Sequence, residues 1–193
     1  MVASGADALG LVFHPDSPRY IKTPLAREIA LSVAPFVTVT GLFVNAAPAT
    51  IEQTLDRVPL GLLQFHGSES NIHCNTWGLP FIKSIAMQPG LDVVSVVEQY
   101  PDAAGFLLDT WQPGTHGGGG QAFDWEHVPA RVQRPLILAG GLTPDNVAQA
   151  IRQVQPFAVD VSSGVESAPG IKSAGRIEEF MTGVERGRTD VQG

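Results

Sequence analysis

The fold is indicated by two stretches near the end of the chain, Leu136-Ile137-Leu138-Ala139-Gly140-Gly141-Leu142 and Val159-Asp160-Val161-Ser162-Ser163-Gly164. Each is a short apolar run that stops abruptly in small residues, a pattern typical of a buried parallel strand followed by a loop of exposed backbone N–H groups. Two such loops after neighbouring strands are typical of strands seven and eight of a (β/α)8 barrel, where they bind phosphate. The two stretches therefore predict a phosphate site near the end of the chain.

Upstream of these stretches, short apolar runs alternate with helical segments. A doubly wound sheet shares this alternation, but it places its glycine-rich turn after the first strand, so the late position of the two loops favours a barrel. The predicted strands end at Phe13, Val44, Phe65, Ile85, Asp109, Ala139 and Val161.

Counting back from the last strand as number eight makes the first visible strand number two. The small-residue lead Met1 to Gly5 then resembles the end of the helix that follows strand one. We therefore expect an α/β fold, a TIM (β/α)8 barrel truncated to strands two to eight. It should form a single domain over residues 1–184, with a flexible polar tail over 185–193.

Composition excludes several classes of partner. The chain has 193 residues, 44% of them hydrophobic, and a formal net charge of −7, which argues against nucleic acid or an anionic membrane. No apolar run reaches about 18 residues, so no membrane span is expected. The single cysteine, Cys74, predicts a reducing, cytoplasmic setting, and the histidines lack the spacing of metal ligands, so no metal is expected.

Motifs along the chain resemble those of the phosphoribosylanthranilate isomerase family, in order and at the family's spacing from about Val2 to Val184. They are Asp7 to Phe13 with Ser17-Pro18-Arg19-Tyr20, Gly41 to Asn45, Leu63 to Gly67, Leu107 to Thr110, Phe123-Asp124-Trp125, Leu138 to Leu142 and Val159 to Glu166.

The resemblance implies an Amadori rearrangement in tryptophan biosynthesis. It would convert N-(5'-phosphoribosyl)anthranilate into 1-(2-carboxyphenylamino)-1-deoxyribulose 5-phosphate without cofactor or metal. The expected partner is a small phosphosugar, with the protein a monomer or a homodimer. Opening the ribose ring needs an acid, and the resemblance gives this role to Asp109, whose pKa burial would have to raise.

The resemblance also implies a set of substrate-binding residues. Arg19 would contact the anthranilate carboxylate, a task suited to a bidentate guanidinium. Gln64 and His66 would line the mouth of the site, and Asp160 would reach the sugar hydroxyls. Backbone N–H groups would bind phosphate at Gly140, Gly141, Ser162, Ser163 and Gly164.

The family's general base is a cysteine in a Lys-x-Cys-Gly stretch at the end of strand one, and this sequence has no such stretch. Cys74 falls on a predicted helix, where a buried or inert thiol is expected. Two hypotheses follow: an isomerase whose base-bearing first strand is missing from this chain, or a non-catalytic phosphate-binding barrel remnant.

Overall fold

The computed structural model describes residues 2–111, 122–129 and 132–192. The chain divides into two compact units, Met1–Lys83 with Tyr100–Ala104 and Ser84–Gln99 with Gly105–Gly193. The described residues include seven parallel strands, β1 to β7, which alternate with helices along the chain. This alternation confirms the predicted α/β class.

The first unit contains β1 to β3 and the first three residues of β4, paired in chain order and all parallel. Its core is a row of phenylalanines contributed by successive strands and the loop after β1. Ring centroids are 5.4 Å apart between Phe13 and Phe43, 6.2 Å between Phe43 and Phe65, and 6.1 Å between Phe65 and Phe81. Its elements are β1 (Ala8–Val12), α1 (Thr23–Ser32), β2 (Thr38–Phe43), α2 (Pro48–Leu55), β3 (Leu62–Phe65), α3 (Asn71–Asn75) and β4 (Phe81–Met87).

The second unit contains the parallel strands β5, β6 and β7 with the helices that follow them. Leu138, Val147, Ile151, Ile177 and Phe180 form its buried core. Its elements are α4 (Val93–Glu98), β5 (Gly105–Thr110), β6 (Leu136–Leu138), α5 (Val147–Val154), β7 (Ala158–Val159), β8 (Glu166–Ala168), β9 (Ile171–Lys172) and α6 (Ala174–Gln192).

Two features of this unit differ from the sequence-based expectation. α6 continues to Gln192 through the residues predicted to form a flexible tail, because its apolar positions before Gly183 anchor a helix that its polar C-terminal part extends. The antiparallel hairpin β8–β9 was not predicted. Pro169 and Gly170 make its turn, and Gly170 has a φ of +80°, a conformation that glycine adopts readily.

No helix in the described part of the chain is both long enough and apolar enough to cross a membrane.

Candidate active site

Three strand ends of the second unit bring two carboxylates to the same edge of the sheet. Leu108 pairs with Leu138, and Leu138 pairs with Val159. Asp109 and Asp160 are the next residues of their strands, so they lie level with each other on either side of the β6 end. Both were predicted as site residues, and the register of the three strands explains their neighbouring positions.

Asp109 is buried, with 9% of its surface exposed. Burial raises the pKa of its carboxyl to about 6, because a charged carboxylate is poorly solvated there. The backbone N–H of Thr110, which donates to Oδ1 at 2.8 Å, opposes this rise, and the negative charge of Asp160 adds to it. Asp109 therefore has the pKa of a carboxyl that can deliver a proton near neutral pH. Asp160 is exposed.

The loop after β6 turns directly against Asp109. Gly140 and Gly141 have φ values of +72° and +64°, and a Cβ on Gly140 would lie 3.0 Å from Asp109 Oδ1 and closer still to the backbone nitrogen of Thr110. Only glycine fits this position without strain or collision. Asn146 fixes the loop, because its Nδ2 donates to the Gly141 carbonyl at 2.9 Å.

The loop after β7 lies against the loop after β6. A Cβ on Gly164 would collide with the carbonyl oxygen of Leu142, so the two backbones touch at this point. Ser163–Val165 form one turn of 3-10 helix. The five residues predicted to bind phosphate are thus contributed by two adjoining loops of small residues, an arrangement that can present several backbone N–H groups to one anion.

The β8–β9 hairpin braces the second of these loops through Lys172. Its Nζ donates to the Ser162 carbonyl at 2.8 Å and to the Ser162 hydroxyl at 3.2 Å, and it forms an ion pair with Glu166 at 2.9 Å. Arg176 donates to the Glu166 carbonyl at 2.8 Å. These contacts fix the backbone at Ser162, and they were not predicted from the sequence. The turn pair Pro169-Gly170 was the available signal for the hairpin.

A cavity of about 300 Å³ opens beside Thr110 in the same unit. Its walls are largely apolar and include Met87, Trp111 and Phe123, with His127 at one side. An aromatic or apolar group can therefore be accommodated next to the strand end that carries Asp109.

In the first unit, the loop after β1 folds back along its own strand. Tyr20 bridges to Val12, and the backbone N–H of Ile21 donates to the Val12 carbonyl at 3.0 Å. Arg19, whose backbone N–H donates to the Ser17 hydroxyl at 3.1 Å, is thereby held half-buried at the carboxyl end of β1.

Gln64 and His66 lie together at the carboxyl end of β3. Gln64 is buried, His66 is half-buried, and the amide nitrogen of Gln64 contacts Nε2 of the imidazole. The backbone N–H of His66 donates to the Phe43 carbonyl at 2.9 Å, which ties this strand end to β2. The structure brings these two predicted residues into contact.

A buried ion pair that was not predicted from the sequence contacts this strand end. Lys83 Nζ lies 3.3 Å from Glu69 Oε2, and the two side chains are 4% and 3% exposed. Desolvation lowers the pKa of Lys83, and the carboxylate of Glu69 opposes this effect. A charged pair this deeply buried depends on close partners, because neither group is solvated by water.

Cys74 is a fully buried residue of α3. Burial raises the pKa of its thiol to about 12, so it carries no thiolate near neutral pH. This matches the inert thiol expected from the sequence. No group of three or more His, Cys, Asp or Glu side chains within residues 2–111, 122–129 and 132–192 is arranged to hold a metal ion.

Parallel strands that end in a buried acid and in two adjoining small-residue loops are typical of an α/β enzyme of the (β/α)-barrel type. A model of the N-(5'-phosphoribosyl)anthranilate (PRA) isomerase family matches residues 1–183. The chain belongs to this family.

Relatives and solved structures agree with this assignment. The N-(5'-phosphoribosyl)anthranilate isomerase of Cellvibrio japonicus is 52% identical over 181 residues, which cover 94% of this chain and 84% of the relative. That of Pseudomonas aeruginosa strain UCBPP-PA14 is 53% identical over 188 residues, 97% and 89% of the two chains.

The phosphoribosyl anthranilate isomerase of Thermotoga maritima superposes with a TM-score of 0.86 at 41% identity, over 95% of this chain and 90% of that one. A second solved structure of such an isomerase, in complex with reduced 1-(o-carboxyphenylamino)-1-deoxyribulose 5-phosphate, has a TM-score of 0.80 at 38% identity, with the same coverage. These likenesses confirm the predicted fold class.

One part of the sequence-based interpretation needs correction. The prediction that the chain lacks the family's first strand is wrong, because the family model is matched from residue 1 and the parallel strands form a series of seven beginning at β1. The prediction rested on numbering strands backwards from two loops. Such loops identify the phosphate-binding end of a sheet, but a local pattern does not fix how many strands precede it.

Proposed function

We propose that this chain catalyses the isomerisation of N-(5'-phosphoribosyl)anthranilate to 1-(2-carboxyphenylamino)-1-deoxyribulose 5-phosphate, a step of tryptophan biosynthesis. Family membership supports the substrate. The main support for the chemistry is the buried carboxyl of Asp109, which has a pKa of about 6 and lies at a strand end against the Gly140 loop.

The reaction requires an acid first and a proton transfer from C2 second. Asp109 donates its proton to the furanose ring oxygen while the C1–O bond breaks and the anilino nitrogen forms a double bond to C1. A base then takes the C2 proton to give an enol-amine, and protonation at C1 with loss of the enol O–H proton gives the ketone. Atoms and electrons balance without an oxidant. The raised pKa of Asp109 makes it a better donor than an exposed aspartate.

The loops after β6 and β7 bind the phosphate of the substrate in this proposal. Backbone N–H groups at Gly140, Gly141 and Ser162 to Gly164 surround the anion, and Lys172 holds the Ser162 backbone in place. Exposed Asp160 accepts hydrogen bonds from sugar hydroxyls.

Three further residues, all in the first unit, are proposed to contact the substrate. Arg19 binds the anthranilate carboxylate through its guanidinium, and Gln64 and His66 bind through polar groups at the end of β3. Their half-buried or buried positions favour this use, because such side chains are restrained before substrate arrives. Cys74 has no role in the reaction.

We also propose a cytoplasmic setting and either a monomeric or a homodimeric state. A solved structure of monomers that were generated from the dimeric isomerase of T. maritima has a TM-score of 0.78 to this chain. Sedimentation of the purified chain distinguishes the two states.

Conversion of synthetic N-(5'-phosphoribosyl)anthranilate, followed by chromatographic separation of substrate and product, tests the proposal. We expect turnover by the wild type and a loss of about a hundredfold or more in kcat for Asp109→Asn, with ligand affinity little changed. Asp56→Asn, at an exposed position after α2, is the matched control and should turn over normally. Cys74→Ser should also retain its turnover number.

Two outcomes would contradict the proposal. Equal turnover by Asp109→Asn and Asp56→Asn would remove Asp109 from the mechanism. Tight binding of the reduced product analogue with no turnover by the wild type would favour a phosphate-binding protein that does not catalyse the reaction.

A further inference from the structure

We propose that the buried Lys83–Glu69 pair is a positioning device for His66, holding the end of β3 in the conformation that substrate binding requires. This inference rests on the proposed substrate contact of His66. It adds Lys83 and Glu69, which touch neither substrate nor Asp109 in the proposed mechanism, to the residues on which the reaction depends.

Lys83 donates to the backbone carbonyls of the residues before and after His66. Its Nζ donates to the Phe65 carbonyl at 3.2 Å and to the Gly67 carbonyl at 2.6 Å. The first carbonyl belongs to the peptide that joins Phe65 to His66, and the second belongs to the peptide after Gly67. A single ammonium group therefore restrains the backbone shortly before and shortly after that side chain.

Glu69 extends this restraint to the neighbouring strand end. While its Oε2 pairs with Lys83, its Oε1 accepts from the backbone N–H of Asn45 at 2.6 Å, just beyond β2. Asn45 has a φ of +46°, and its side-chain oxygen accepts from the backbone N–H of Ser68 at 2.8 Å. The carboxylate, which lies in the segment after His66, thus links the residue beyond β2 to Lys83 on β4.

Tyr100 completes the network. Its hydroxyl donates to the Glu69 carbonyl at 2.9 Å, and its ring centroid lies 5.6 Å from Lys83 Nζ. The ammonium group of Lys83 therefore lies against an aromatic ring while it donates to the end of β3, to the loop that follows and to Glu69.

The alternative interpretation, that the pair only stabilises the core, fits less well. Buried ion pairs generally contribute little net stability compared with apolar residues of similar volume, because both charges lose their hydration. An apolar pair at these positions would fill the space but would leave the carbonyls on either side of His66 without a donor from this side. The contacts therefore favour an orienting role.

A double-mutant cycle tests the inference. Lys83→Met with Glu69→Gln removes both charges and so leaves no unpaired buried ion. We expect this variant to lose on the order of tenfold or more in kcat/KM in the wild-type background, because small displacements of a binding group are costly. In a His66→Ala background the same change should cost less than about twofold, since the group being positioned is gone.

Two further variants serve as controls. Lys83→Arg keeps the positive charge and should retain much of the activity, and Lys22→Met, at an exposed lysine before α1, should have no effect.

Two other outcomes of this experiment would contradict the inference. An equal loss in both backgrounds would show that the pair does not act through His66. Full activity of His66→Ala alone would remove the proposed role of His66 and the inference together, while the Asp109 variants would still test the reaction itself. If the double variant does not fold, Glu69→Asp, which keeps both buried charges but shortens the carboxylate side chain, takes its place and must show the same background dependence.

Discussion

At the scale of single residues, two buried ionisable groups have opposite environments. Asp109 is buried next to an exposed carboxylate, and its pKa rises to about 6. Lys83 is buried next to Glu69, and its partner opposes the effect of burial. The first arrangement favours a neutral acid, whereas the second retains a charged pair. The neighbouring charge, a carboxylate in both cases, therefore favours the neutral form of the Asp109 carboxyl and the charged form of the Lys83 amine.

The raised pKa of Asp109 predicts a pH dependence of stability. Its carboxyl has a pKa of about 6 when folded, compared with a usual value of 3.8, so between these values the folded state binds more protons than the unfolded state. The contribution of Asp109 to stability is therefore fully present below about pH 4 and is lost as the pH rises through about 6. It amounts to on the order of 3 kcal/mol.

Chemical denaturation of wild type and Asp109→Asn from pH 4 to pH 7 measures this contribution. The free energy of unfolding of the wild type should fall relative to that of the variant over this interval. A constant difference would mean that the carboxyl titrates at its usual value and is not prepared to act as an acid.

At the scale of elements, the loops after β6 and β7 hold the site through backbone geometry. Substituting Gly140 by alanine should raise KM roughly tenfold or more, because a positive φ and a collision with Thr110 cost about 1–3 kcal/mol of strain in the loop. The matched control is Gly10→Ala in β1, where an added Cβ meets nothing within 4 Å. If steady-state kinetics show the same KM for both variants, the loop does not bind phosphate through its present conformation.

The Lys83–Glu69 pair has a separate consequence for stability. Lys83→Met alone leaves a buried, unpaired carboxylate and should lower the free energy of unfolding by about 3–5 kcal/mol. Lys83→Met with Glu69→Gln should cost distinctly less, because no buried charge then lacks its partner. Urea titrations of both variants and of Lys22→Met give the comparison. A larger loss in the double variant would contradict the picture of a mutually dependent pair.

The elements that the sequence predicted well are those with local signals. The strand ends predicted at Phe65 and Asp109 agree with the ends of β3 and β5 to within one residue, because apolar runs stop there at turn residues. A local signal also marks the start of α4, where the Asp92 side chain caps the helix by accepting from the N–H of Val94 at 3.1 Å. The β8–β9 hairpin was missed because its strands are only three and two residues long.

The non-local features required the structure. Lys83 meets Glu69 through contacts that depend on how β3 and β4 pair, and no spacing in the sequence identifies them. Asp109 could be chosen from its place in a family motif, but its pKa depends on the burial that three strands and a loop create around it. The seven predicted strands correspond to β1 to β7, but numbering them from two to eight, with a first strand missing, was wrong, because loop composition gives no information on how many strands should precede the loops.

At the scale of the whole molecule, each unit carries polar groups at the ends of its parallel strands. The second unit contains a buried acid and two adjoining small-residue loops, and the first unit contains a guanidinium, an amide and an imidazole. The residues around these groups are fixed by glycine contacts and by two lysines, Lys83 and Lys172, whose partners are backbone carbonyls and carboxylates. Within each unit, these strand ends are therefore restrained by their own contacts.

The proposed rearrangement moves a proton from the aldose to the ketose form, and product formation in D2O measures whether this chain carries it out. N-(5'-phosphoribosyl)anthranilate should be converted to 1-(2-carboxyphenylamino)-1-deoxyribulose 5-phosphate carrying one solvent-derived deuterium at C1, and Asp109→Asn should form this product far more slowly. Recovery of unchanged substrate from the wild-type protein, under conditions in which the reduced product analogue binds, would contradict the claim.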